Sequence, residues 1–174
     1  MIERGRIAAN GSTISTSVLI YMALHDDDAL QFGCKRLCRI TDKVNEYSHD
    51  IDGDGDKFTA YRNRLDTYGL DLRLKMDFTR ALLKGLKYTG GKEMRGAEAG
   101  VEVTYTLIFL ALHDLYHFGP QRMKRIQERI KGYAWFIRDG TTHILEYMKC
   151  LNRECGLQYQ ALNDYEAVHG EVQI

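Results

Sequence analysis

The chain states one pattern twice. Leu19-Ile20-Tyr21-Met22-Ala23-Leu24-His25-Asp26 returns as Leu107-Ile108-Phe109-Leu110-Ala111-Leu112-His113-Asp114, 88 residues on. Each copy then reaches a Phe-Gly pair, Phe32-Gly33 and Phe118-Gly119, now 86 apart, so the first copy carries two extra residues in its turn. At that second offset Tyr47 meets Tyr133, Ile51 meets Ile137, Tyr61 meets Tyr147 and Leu65 meets Leu151. Gly69-Leu70 meets Gly156-Leu157 one residue later. A repeat on this scale limits the fold to two related units that bury their apolar faces together. The units span residues 12–72 and 100–158 of a single domain, with a linking segment 73–99 between them and a tail 159–174.

The units read as helices. Proline occurs once, at Pro120, so the commonest helix breaker is nearly absent. Val18–Leu24 and Leu107–Leu112 are apolar almost all round, as helices in the middle of a bundle are. Leu37, Ile40, Val44, Tyr47 and Ile51 then recur in steps of three and four, as do Met123, Ile126, Ile130, Tyr133 and Ile137. A third helix carries Phe58, Tyr61 and Leu65, or Ile144, Tyr147 and Leu151, with Gly69 and Gly156 placed as left-handed caps. The expected fold is all-α: a helical bundle of two tandem three-helix units joined by a linking helix and a glycine-rich segment. Leu24, Ile40, Leu112 and Ile126 are expected in one shared core. Asp77 is positioned to cap the linking helix, with Phe78, Leu82, Leu83 and Leu86 facing inward. Thr89–Gly100 reads as an exposed hinge, and the tail is expected to fray.

Charge and cysteine usage narrow the class. Lys+Arg and Asp+Glu number 24 each, so any attraction for a polyanion must come from a local patch. Cys34, Cys38, Cys150 and Cys155 fit buried thiols of a reducing compartment. No apolar run reaches the ~18 residues of a spanning helix, and the start lacks a secretory core, so a cytoplasmic protein without membrane association is expected.

Three stretches suggest chemistry. Asp50-Ile-Asp52-Gly-Asp54-Gly55-Asp56 resembles the first half of a calcium loop, but Lys57 and Tyr61 stand where an apolar residue and a bidentate glutamate belong. An acidic turn capping the third helix is the simpler reading. His113 and His117 have metal-competent spacing on a helix, yet no intervening glutamate, and Gln31 holds the place of His117 in the first copy. The His-Asp pairs more simply close the first helices, with Asp26 and Asp114 holding arginines of the next. Thr89-Gly-Gly-Lys92 lacks the spacing of a phosphate loop, and no nucleophile elbow occurs. These readings call for no catalytic group, metal or cofactor.

The basic residues are concentrated. Arg36, Arg39 and Lys43 stand beside the apolar stripe of the second helix, and Arg122, Arg125 and Arg129 stand at the same places in the other copy, with Lys124 nearby. Residues 34–45 carry four basic groups against one acid, and residues 120–131 carry five against one. These two ridges are either a partner surface or a solvated face tied back by salt bridges. A helix-turn-helix register centred on Gly119 puts Arg125 where an apolar residue belongs, so the ridges suit backbone contact better than base reading.

The pattern Ala-Leu-His-Asp, a short spacer, Phe-Gly, two residues and Arg resembles small helical proteins of phages and prophages of Gram-positive bacteria. The likeness covers Leu19–Tyr47 and Leu107–Tyr133. It implies the neighbourhood of anti-defence proteins, anti-CRISPR inhibitors among them, and of phage replication or transcription factors. The expected function is a non-enzymatic binding protein, monomer or homodimer, that engages and inhibits a host nucleic-acid machine such as an RNA-guided nuclease. The rivals are a DNA-associated phage factor using the ridges on duplex backbone, and a metal-dependent enzyme built on His113, Asp114 and His117.

Overall fold

The first helix of the computed structural model, which describes residues 2–174, is the longest but one: α1 spans Ile2–His25. It is followed by α2 (Cys34–Asp50), α3 (Gly55–Asp66), α4 (Leu72–Gly85), α5 (Gly91–Tyr116), α6 (Pro120–Arg138), α7 (Ile144–Cys155) and α8 (Gln160–His169). No strand occurs among the described residues, so the fold is an all-α helical bundle.

α1 and α5 run side by side in the same direction. Gly5 lies against Lys92 and Gly96, and Ala9 against Gly100, while the Ser12 hydroxyl donates to the Ala97 carbonyl at 2.8 Å. The glycine-rich stretch expected as a hinge is therefore the first third of α5. Its glycines serve close approach: a Cβ on Gly96 would fall 2.1 Å from the Gly5 carbonyl oxygen, and one on Gly100 2.4 Å from that of Ala9. Here, the absence of a side chain lets two backbones touch.

The outer helices pack across the copies. α2 and α3 lie on α5, whereas α6 and α7 lie on α1, and α4 lies along α6. The same contact recurs on both sides: the Tyr47 hydroxyl donates to Asp114 at 2.5 Å, and that of Tyr133 to Asp26 at 2.5 Å. Tyr47 meets Tyr61 edge-on, as Tyr133 meets Tyr147. Leu24, Ile40, Leu112 and Ile126 are all fully buried in one continuous core. By length and composition α1 is apolar enough to cross a bilayer, but 61% of that window is buried inside the fold.

Three local expectations need correction. Asp71, not Asp77, caps α4, accepting from the Arg73 and Leu74 amides, and Asp77 sits inside the helix paired with Lys131 at 3.0 Å. The tail does not fray: it forms α8, anchored by buried Leu162 and by Lys149, whose ammonium meets Glu166 at 2.8 Å. Of the four thiols only Cys155 is buried; Cys34 is exposed at the first turn of α2, its sulfur 3.6 Å from that of Cys38.

Candidate interaction surface

Both ridges begin at the Phe-Gly corners. Gly33 and Gly119 take extended conformations as N-caps, and Pro120 opens α6 where its missing N–H costs nothing. Just before each corner one non-glycine residue turns left-handed, Gln31 at φ 43° and His117 at φ 53°. His117 is thus an exposed backbone cap, equivalent to Gln31. His113 points elsewhere, stacking on Tyr68 at 3.8 Å with its Nδ1 3.0 Å from Asp114. The two histidines do not converge.

The corner phenylalanines are buried and meet edge-on, Phe32 to Phe118, with ring centroids 6.2 Å apart. Tyr116 packs on Phe32 at 4.9 Å. Above this floor stand one arginine from each copy: the Arg36 guanidinium lies 4.5 Å over Phe32, and that of Arg122 lies 5.7 Å over Phe118. With Arg125 they line a cavity of about 300 Å³ whose other walls include Ala29 and Leu30. Contacts of this cation–aromatic kind hold a guanidinium in place while leaving its N–H groups free for a ligand.

The ridge residues fall into two sets. Arg125 and Arg129 are tied down, their Nε atoms 2.6 and 3.2 Å from Oδ2 of Asp27, which is fully buried. Neither N–H points squarely at that oxygen, so the attraction is chiefly electrostatic. Lys43 is held by Glu46 at 2.6 Å and lies over the Tyr47 ring. Arg36, Arg39, Arg122 and Lys124 are exposed and pair with no carboxylate among the described residues. Arg36 donates only to the Gln31 carbonyl, at 3.0 Å.

Asp26 and Asp114 do not hold the ridges as expected. Asp114 binds Arg64 of α3 and the Tyr47 hydroxyl, and its carboxyl pKa is lowered: burial opposes this, but His113, Tyr47 and Arg64 outweigh it. The Asp26 carboxylate takes the Tyr133 hydroxyl, and only its main-chain carbonyl meets Arg129, at 3.2 Å. The anchoring acid is Asp27, inside the short turn that differs between the copies. The repeat pointed to Asp26 because Asp27 belongs to the extra residues of the first turn, which have no counterpart in the second copy. The aromatic floor was equally hidden, because Tyr116 and the two phenylalanines meet only through the packing of distant segments.

The acidic turn caps a helix. Asp54 accepts from the Asp56 and Lys57 amides at the start of α3, and Asp50 takes Lys57 and Tyr61. Those bonds hold the Asp50 carboxyl below its ordinary range, Tyr61 contributing most. At the far end of α1, Cys155 lies 3.4 Å from His25 Nδ1, and His25 Nε2 meets Glu154 at 2.6 Å. Comparison of the chain with protein-family models, with curated proteins and with solved structures returns no match.

Proposed function

We propose that this chain is a duplicated bundle, its two units interleaved through α1 and α5, that works as a non-enzymatic binding protein. It engages a nucleic-acid machine of the host through its basic face and inhibits it. One observation carries this reading: exposed cations without acidic partners come from both copies and meet around a single aromatic-floored cavity, Arg36 on one side and Arg122 on the other. In a chain of zero formal net charge, such a patch attracts an acidic or phosphate-bearing partner by local complementarity. The choice of an RNA-guided nuclease, and of a cytoplasmic phage setting, rests on the resemblance of the Ala-Leu-His-Asp…Phe-Gly pattern. Inhibition by occlusion asks for a rigid charged surface and no catalytic residue.

The test is capture from host lysate, with and without nuclease digestion of the lysate, followed by a cleavage assay on the captured complex. The reading expects a nuclease complex that survives digestion and cuts its target less when the protein is added. Free cleavage at saturating protein contradicts it. The patch also suits duplex backbone, the second reading. Under that alternative, binding to plain DNA falls with a slope of roughly −0.9 in log affinity against log salt for each phosphate neutralised.

A further inference from the structure

A second cavity, on the opposite side of α2 from the ridge, has a history written in the repeat. It is a cleft of about 400 Å³ between α1, α2, α5 and the turn joining α7 to α8, with Ser17, Tyr21, Thr41, Leu107 and Tyr159 among its walls. The floor of the corresponding place in the other copy is filled by side chains. There Tyr105 stands where Ser17 stands, Phe109 where Tyr21 stands, and Gln127 where Thr41 stands. Tyr105 and Phe109 are buried and stacked at 4.3 Å, and Phe78 of α4 comes within 5.7 Å of Tyr105. Gln127 closes the cluster, donating to the Tyr105 hydroxyl at 2.7 Å and to the Asp71 carbonyl at 3.0 Å.

The first copy keeps a ring at Tyr21 but lacks those of Tyr105 and Phe78. Ser17 turns its hydroxyl to the Ile14 carbonyl, and α8 packs on α7 where α4 packs on α6, so no counterpart of Phe78 arrives. The α2 face left open is polar, with Thr41, Asn45 and Ser48 in place of Gln127, Lys131 and Ala134. Such a face does not call for a covering helix. What remains is a ring-sized gap walled by Val103, Leu107 and Ile108. Its polar features are specific. The Tyr159 hydroxyl is sealed from solvent and bonded to nothing, a costly state for a buried donor. The Tyr21 hydroxyl is shared with Thr41 at 2.8 Å. Among the described residues Asp42 is the one charged residue on the walls and no cation faces the cleft, which disfavours an anion.

We infer that this cleft binds a small uncharged aromatic molecule, its ring taking the place that Tyr105 fills in the other copy. Concave, mostly apolar sites with a few placed polar groups are the usual form of small-molecule pockets. The site is independent of the basic face.

The probe is p-cresol, the tyrosine side chain without its backbone, titrated into the whole protein by NMR and by thermal melts, with toluene as the partner lacking a hydroxyl. Saturable binding with a Kd on the order of 0.1–1 mM is expected for so small a ligand, confined to resonances of the cleft. Ser17→Tyr supplies the missing ring from within and should abolish p-cresol binding. Val103→Trp, at a half-buried position on the wall, should weaken p-cresol at least tenfold, which keeps the test intact if Ser17→Tyr fails to fold. No saturation of the wild-type protein by 10-fold more p-cresol than that range (about 10 mM) would overturn the inference. So would equal p-cresol affinity in the folded Ser17→Tyr protein, or in the folded Val103→Trp protein.

Discussion

Replacing Gly96 by alanine should break the contact on which the bundle turns. A methyl there would lie 2.1 Å from the Gly5 carbonyl oxygen, on backbone that has no rotamer to yield. The helices would have to part by roughly 1 Å, a gap that forfeits a quarter to a half of each dispersion contact along the seam. The Ser12–Ala97 hydrogen bond lies one residue away and would stretch with them. Overpacking of this kind costs about 1–3 kcal/mol, occasionally more, and the strained bond adds about 0.5–1.5 kcal/mol. Against that, alanine gains about 1 kcal/mol of helix propensity over glycine. The net expectation is a loss of about 1–3 kcal/mol, or several degrees of melting temperature for a chain of this size. Gly132 is the control, since it lies inside α6 with nothing within 4 Å of its would-be Cβ. There the same substitution should gain up to about 1 kcal/mol. Urea melts of both variants decide the matter by sign. Gly96→Ala as stable as wild type would refute the close α1–α5 seam.

Further outcomes follow from other contacts. Ile126→Ala should cost about 2–5 kcal/mol in urea melts, since Ile126 is fully buried between the copies; a loss under ~1 kcal/mol would mean the core is elsewhere. Asp27→Asn keeps the Ala29 amide bond to the side chain but removes the charge facing Arg125 and Arg129. It should cost about 1–3 kcal/mol, less than the ~3–5 kcal/mol of a fully buried pair, because the Arg125 side chain is 49% exposed and partly screened. His25 gives a pH signature. Burial pulls the imidazole down, but Glu154 and the Phe32 carbonyl outweigh it, so its pKa stands above the ordinary 6.5. A raised histidine contributes stability that is full below its unfolded value and lost as pH rises through the folded one. The advantage in melting temperature of wild type over His25→Gln should therefore be highest below about pH 6.5 and fall to a lower plateau in mildly alkaline buffer. At the acid end Glu154, held low chiefly by its bond to His25, withdraws its share as pH falls through its folded value. A pH-independent difference would show that the pair does not couple to folding.

Periodicity made much of the fold legible. The stripes Leu37–Ile51 and Met123–Ile137 pointed inward where expected, with Val44, Ile51 and Tyr133 half-buried at the edges. The glycine-rich stretch was misread because glycine in a sequence signals a turn and a close backbone approach alike. Only the partner helix distinguishes them, and Gly5 and Ala9 lie far away in sequence. Asp77 lost to Asp71 as a cap because α4 begins six residues earlier, through Leu72 and Met76, which are exposed and so add nothing to the inward apolar pattern. The basic residues of the surface were visible as a pair of ridges. Their convergence was not, since it depends on α2 lying on α5 and α6 on α1, a choice of partner that no local pattern encodes.

That convergence is tested most directly by reversing charge at two exposed positions, one from each copy, that pair with no carboxylate among the described residues. Arg36→Glu with Arg122→Glu removes one cation from each copy and leaves the Asp27 anchor untouched. Surface changes of this kind should shift stability by no more than about 0.5 kcal/mol beyond the lost aromatic contacts, each worth about 0.5–1 kcal/mol at an exposed site. Partner affinity should fall by at least tenfold in the folded double variant, more than in the corresponding double alanine variant, because repulsion is added to loss. Full affinity in the folded charge-reversed protein would show that the cavity between Phe32 and Phe118 is not where this protein meets its partner.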